Sequence, residues 1–207
     1  MSNGNDKIRI FVLEDNELTR GAVIDLLSRV EDFDVVGEAG SGELAVENAI
    51  WLEPDILVAD IGLPGINGID AIRMIRRSDP SIRAIMLTAH DSDDDLFQSF
   101  RAGAEGYILK SGLTKRRLEL AIKSVDDGSV WLDPLIAKRV LTAAISDDGT
   151  HDAPYVAPLS TEERSVLEQV ANGSPQCQDG VCNIEPGFLE NLKRFAGGSN
   201  GGEPALR

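Results

Sequence analysis

Aromatic side chains are scarce. Six Phe, two Trp and two Tyr make up 5% of the 207 residues. A core must therefore come mainly from Ile, Leu, Val and Ala, which suits a buried parallel sheet flanked by helices. The 42% of residues that are hydrophobic supply enough material for it. Cysteine and histidine are nearly missing. Cys177, Cys182, His90 and His151 are the full set, which argues against a zinc site and leaves two ordinary thiols in a reducing cytoplasm. Basic charge is also short: 20 Lys and Arg stand against 35 Asp and Glu, a net charge of -15. The deficit is spread along the chain, -9 before Ser146 and -6 from there on. Nucleic-acid binders usually carry a basic face, and nothing in these numbers advertises one. Finally, the polar stretch Met1 to Lys7 precedes only six apolar-rich residues. That pattern predicts neither a signal peptide nor a membrane span, and a cytoplasmic location.

What is present is alternation. Ile8 to Leu13, Val35 to Ala39, Ile56 to Ala59, Ala84 to Leu87 and Gly106 to Leu109 read as short apolar strands. Between and after them, Glu17–Val30, Ser41–Leu52, Gly68–Arg77, Asp93–Ala102 and Thr114–Val125 carry helical stripes. Leu18, Ala22, Ile24, Leu26, Leu27 and Val30 form the first stripe, and Leu44, Ala45, Ala49 and Leu52 the second. Asp91 and Asp93 to Asp95 are expected to cap the fourth helix and suit its positive end. Five strand–helix units with apolar strands predict an α/β fold, a doubly wound five-stranded parallel sheet with helices on both faces. Trp131 to Ile145 adds a linker helix opening at Asp133-Pro134, with Leu135, Ile136, Val140, Leu141 and Ala144 as its apolar face. A linker with three aspartates, Gly149 and two prolines follows, from Ser146 to Pro158.

In such sheets ligands bind at the carboxyl ends of the strands. The residues there are Glu14 and Asp15, Asp60, Thr88, and Lys110. Three converging carboxylates repel one another and call for a cation; oxygen ligands with an open position suit Mg²⁺. A metal-bound carboxylate can attack a phosphoryl donor while the metal and a lysine neutralise the transferring group. Singly, each residue has an ordinary explanation: a helix cap, a strand-end hydroxyl, a solvated lysine. It is the coincidence at four strand ends that points to chemistry.

Leu13-Glu14-Asp15-Asn16, Asp60-Ile61-Gly62-Leu63-Pro64, Leu87-Thr88-Ala89 and Tyr107-Ile108-Leu109-Lys110 together resemble the receiver domains of two-component response regulators, from Ile8 to about Asp127. The resemblance implies a flavodoxin-like fold and a role for each residue. By this resemblance Asp60 is expected to be the phosphoacceptor. Asp15 and Asp60 would ligate Mg²⁺ with the backbone carbonyl of Gly62, with Glu14 assisting. Thr88 would bind the phosphoryl group, Lys110 would pair with Asp60 or its phosphate, and Tyr107 would be the aromatic switch. Glu14 stands where aspartate is commoner and keeps the carboxylate.

Leu159 to Gly173 resembles the opening helix of the LuxR/NarL-type helix-turn-helix domain, with Ser160 and Glu163 as a capping box. Beyond Gly173 the likeness decays. Glu190 stands where a recognition-helix lysine is expected, and Lys193 and Arg194 are the remaining candidates for DNA contacts. The expected organisation is a receiver over residues 1–128, a linker helix and linker over 129–158, and a degenerate helix-turn-helix-like α-helical output region over 159–207.

These features predict a response regulator that takes a phosphoryl group from a sensor histidine kinase. It forms a homodimer on phosphorylation and regulates transcription through DNA or through a protein partner. It assists its own phosphotransfer and dephosphorylation without being an enzyme in its own right. The alternatives are an interaction regulator that does not touch DNA, and an aspartyl-phosphate phosphohydrolase. The latter needs a second carboxylate where this chain has Gly62.

Overall fold

A computed structural model describes residues 7–89, 92–145 and 161–172. Strand and helix alternate along the chain. The elements are β1 (Ile8–Leu13), α1 (Glu17–Leu27), β2 (Phe33–Ala39), α2 (Gly42–Leu52), β3 (Ile56–Ala59), α3 (Gly68–Ser78), β4 (Arg83–Thr88), α4 (Asp93–Ala102), β5 (Gly106–Leu109), α5 (Lys115–Asp126), β6 (Trp131–Leu132), α6 (Pro134–Ile145) and α7 (Thr161–Ala171). Among the described residues the strands form one parallel sheet in the order β2-β1-β3-β4-β5-β6.

The apolar runs of the strands split by parity. Phe11, Leu13, Leu57, Ala59, Ala84 and Met86 lie in one buried layer, and Ile10, Val12, Ile56, Val58, Ile85 and Leu87 in the other. Successive strand side chains point to opposite faces, so a strand apolar at every position needs cover on both. Val23 and Leu27 of α1 with Leu118 and Ile122 of α5 supply the second layer. Ala45, Ile72, Leu96 and Val140 bring α2, α3, α4 and α6 to the first. The chain steps from β2 across β1 to β3, and this reversal opens a crevice at the carboxyl ends of β1 and β3.

Helix starts are set locally. Asn16, Ser41, Asn67, Ser92 and Thr114 each accept a hydrogen bond from the backbone N–H three residues on, a contact worth about 1 kcal/mol. Ser92, rather than the aspartates beside it, caps α4; Asp93, Asp94 and Asp95 fill its first turn.

The fold departs from the sequence expectation in a few places. The sheet has six strands, not five, because Trp131 and Leu132 pair with Gly106 and Tyr107 before α6 begins. Two residues are too short for any periodicity to announce a strand. Leu18 (86% exposed), Leu44 (51%) and Leu135 (60%) face solvent instead of the core. Stretches dense in leucine hold more apolar residues than one helical stripe can bury. α1 ends at Leu27, yet Val30 is still buried after it.

α6 is tied to the receiver-like body. The buried Asp133 accepts from the Leu135 N–H at 3.2 Å and pairs with Arg117 of α5. Arg139 pairs with Asp93 of α4 at 2.6 Å. α7 packs on α6 and buries Leu167 in the same apolar layer. The linker over 146–158, Ser160, and Cys177, Cys182, Glu190, Lys193 and Arg194 lie outside the described residues, as does His90. No helix among the described residues is long and apolar enough to cross a membrane.

At the opposite end of the sheet, burial together with the charges of Asp55 and Asp127 holds the Asp126 carboxyl above its ordinary range. A carboxyl raised on folding leaves stability intact below its unfolded pKa, and stability falls as pH rises through the folded value. Asp126→Asn should therefore stabilise the protein at neutral pH by less than about 1 kcal/mol, given the group's exposure to solvent. Melting curves of the two chains should converge in acid. A variant less stable than wild type at pH 7 would contradict this.

Candidate functional site

Glu14 and Asp15 follow β1, and Asp60 follows β3. The Asp60 N–H donates to the Leu13 carbonyl at 2.8 Å, extending the β1–β3 ladder by one rung, and the Glu14 N–H donates to Ala39 at 3.0 Å. The ladder thus delivers Glu14 and Asp60 as buried acids at the crevice floor, with Asp15 exposed at its rim. One ligand oxygen from each of the three lies within 4.8 Å of the others. Such a set of hard oxygen donors beside open solvent fits a small divalent cation.

Lys110 reaches the same floor from the end of β5. Its Nζ lies 2.8 Å from Asp60 Oδ2 and 2.6 Å from Glu14 Oε2. Burial by itself would lower the ammonium's pKa. Hydrogen bonds and charge from Asp60 and Glu14 outweigh it and hold Lys110 above its ordinary value. The other Asp60 oxygen, Oδ1, accepts from the Ile61 N–H at 2.8 Å. Thr88 is fully buried at the end of β4, where its carbonyl accepts from the Lys110 N–H at 2.9 Å. Tyr107 is fully buried one layer below, its ring tilted by 52° against Phe100 of α4 with centroids 6.4 Å apart. Gly62 is exposed in the loop after Asp60.

So Glu14, Asp15, Asp60 and Lys110 converge as the sequence predicted, with Thr88 at the adjoining strand end. Glu14 is buried and shares the lysine with Asp60. Sequence reading missed the side chains that shape the two loops. Arg20 of α1 donates to the Glu14 carbonyl at 2.7 Å. Glu43 of α2 accepts from the Ile66 N–H at 2.9 Å, and backbone hydrogen bonds from its own N–H and that of Ile66 keep its carboxyl below the ordinary range. Neither spacing follows a recurring pattern, so no sequence signal marked them. Gly68 opens α3 directly against the Asp60 carbonyl, where an added methyl group would overlap that oxygen.

A family model described as the response regulator receiver domain matches residues 10–123. The chain belongs to that family. Over 165 residues it is 32% identical to the response regulator GacA of Pseudomonas aeruginosa, covering 80% of this chain and 76% of that one. It is 30% identical to the nitrate/nitrite response regulator protein NarL of Escherichia coli K12, covering 84% and 80%. Among solved structures it is similar to a LuxR-family two-component response regulator from Aurantimonas sp. SI85-9A1 (TM-score 0.65, 31% identity, 68% of this chain and 100% of that one). It is also similar to the RcsB response regulator of Salmonella typhimurium (TM-score 0.61, 25% identity, 92% and 90%). The receiver fold is flavodoxin-like. This response regulator is a two-component phosphorelay protein with an output of the transcription-regulating class.

Proposed function

We propose that Asp60 is the phosphoacceptor of this response regulator and that Asp15, Asp60 and the Gly62 carbonyl, with Glu14 in support, hold Mg²⁺. The observation that carries the reading is the Lys110 ammonium 2.8 Å from Asp60 beside three converging acids. An Asp60 oxygen forms the new bond to phosphorus while the bond to the leaving group breaks, and that group departs with the electron pair. When bound by these residues, Mg²⁺ would supply charge neutralisation for the transferring group. Lys110 neutralises a further oxygen, and the Thr88 hydroxyl hydrogen-bonds another. The donor in the cell is a sensor histidine kinase. The test is intact mass after incubation with Mg²⁺ and acetyl phosphate: one phosphoryl group gained, and none when the metal is chelated.

The reading extends to output. Tyr107 and Phe100 share a buried layer with Ile136, Ala137 and Val140 of α6 and Leu167 of α7. A shift at Thr88 and Tyr107 on phosphorylation therefore repacks the seat of α6 and α7, and dimerisation follows from the same change. Residues from Leu159 onward form the output region, with seven acidic and four basic residues after Leu159. This balance favours protein contacts over promoter DNA, with Lys193 and Arg194 as the weak candidates for DNA contacts. Fluorescence anisotropy with random duplex DNA at low salt, on phosphorylated and unphosphorylated chain, should show weak binding or none. Tight binding that falls steeply with added salt would show a concentrated basic surface and overturn this part.

A further inference from the structure

We propose that Arg20 is a positioning residue for the cation pocket, holding the β1–α1 loop in the shape that aims Asp15 at the metal. The inference rests on the reading above that the pocket takes Mg²⁺. Arg20 Nη1 donates to the Glu14 carbonyl at 2.7 Å, and its Nε donates to the Glu38 carboxylate at 3.3 Å. The arginine side chain is 16% exposed. The carbonyl it holds belongs to the peptide unit that leads into Asp15, so this bond sets the plane from which Asp15 departs. On the far side, Asn16 caps α1 through the Thr19 N–H, and its own N–H donates to Glu14 Oε1 at 3.3 Å. Asp15 thus sits exposed between two pinned peptide units.

The physical reason for such a clamp is entropic. A loop left free would lose backbone freedom each time a cation bound; a loop already held loses little. Arginine suits the task because one planar fork serves two acceptors at once. Glu38 offsets its charge, so the clamp stabilises the loop without adding a net cation beside the metal. Room for the guanidinium comes from Gly40, where a Cβ would stand 3.3 Å from Arg20 Nη1.

Calorimetric titration of Mg²⁺ into the full chain tests this. Arg20→Met should weaken Mg²⁺ affinity about tenfold, as loss of a group that orients a ligand does. Arg20→Lys should lose less but remain weaker than wild type, since an ammonium does not reproduce the fork. In an Asp15→Asn background, Arg20→Met should add little further loss, because Arg20 acts through Asp15. Phosphoryl gain by Arg20→Met should return to the wild-type extent at saturating Mg²⁺. Wild-type affinity in Arg20→Met, or a full additional loss on top of Asp15→Asn, overturns the proposal. Should Arg20→Met not fold, Arg20→Lys decides, and wild-type affinity there overturns it. A wild-type chain that binds no Mg²⁺ overturns the pocket reading and this inference together; normal wild-type binding with unaltered variants overturns this inference alone.

Discussion

Asp60→Asn is expected to gain no phosphoryl group under conditions in which the wild-type chain gains one. The substitution keeps the shape of the side chain. An amide oxygen still accepts from the Ile61 N–H or from Lys110, which in the native chain contact Oδ1 and Oδ2 at 2.8 Å each. The fold should therefore persist, and near-identical melting would show it. What is lost is the charge that makes the oxygen a nucleophile and the acyl oxygen that an acyl phosphate requires. Mg²⁺ affinity should also fall, because one of three clustered carboxylates is gone. Intact mass spectrometry of both chains after equal exposure to acetyl phosphate is the measurement. Full-yield phosphorylation of Asp60→Asn would move the acceptor elsewhere and sink the assignment.

The second large effect is on stability. Gly68→Ala should destabilise the protein by about 2–4 kcal/mol, through overpacking against atoms that cannot yield. Helix propensity alone argues the other way, since alanine in a helix is better than glycine by about 1 kcal/mol. Position decides between them. Gly68 is buried at the start of α3, its N–H donates to the Ile61 carbonyl at 3.1 Å, and an added methyl would overlap the backbone carbonyl of Asp60. Backbone on both sides leaves no flexible group to move aside. The loop after Asp60 must shift, so phosphoryl gain should slow as well. Gly21 provides the control. It lies in α1, and a methyl group added there would meet nothing within 4 Å. Gly21→Ala should stabilise by about 0.5–1 kcal/mol. Equilibrium urea unfolding of the two variants reads both effects; a Gly68→Ala chain as stable as Gly21→Ala would refute the close approach.

Much of this was legible in the residues. The strands Ile56 to Ala59 and Gly106 to Leu109 are bounded as their apolar runs end, because a strand covered on both faces must be apolar at every position. The start of α2 was legible because a cap, Ser41, stands before its stripe. The topology rule then placed Glu14, Asp15, Asp60, Thr88 and Lys110 at one edge of the sheet. Chain order and local chemistry were enough, since each of these residues ends a strand and parallel strands end on the same side.

Only the tertiary structure decided the rest. Leu18 and Leu44 lie on helices rich in apolar residues, and which of them face out depends on how each helix is rotated against the sheet, a property of packing and not of spacing. β6 exists because Gly106 and Tyr107 present an open edge to Trp131 and Leu132; two residues have no period of their own. Arg117 to Asp133 and Arg139 to Asp93 join elements whose closeness follows from where α6 lands. Arg20 reaches the Glu14 carbonyl across the turn into α1, and Glu43 reaches Ile66 from another unit of the fold. The sequence by itself determined which groups gather at the carboxyl edge of the sheet, because their identity and strand-end positions are local. How those groups are held was decided in three dimensions, because a hydrogen bond to a backbone carbonyl leaves no mark on the residue that accepts it.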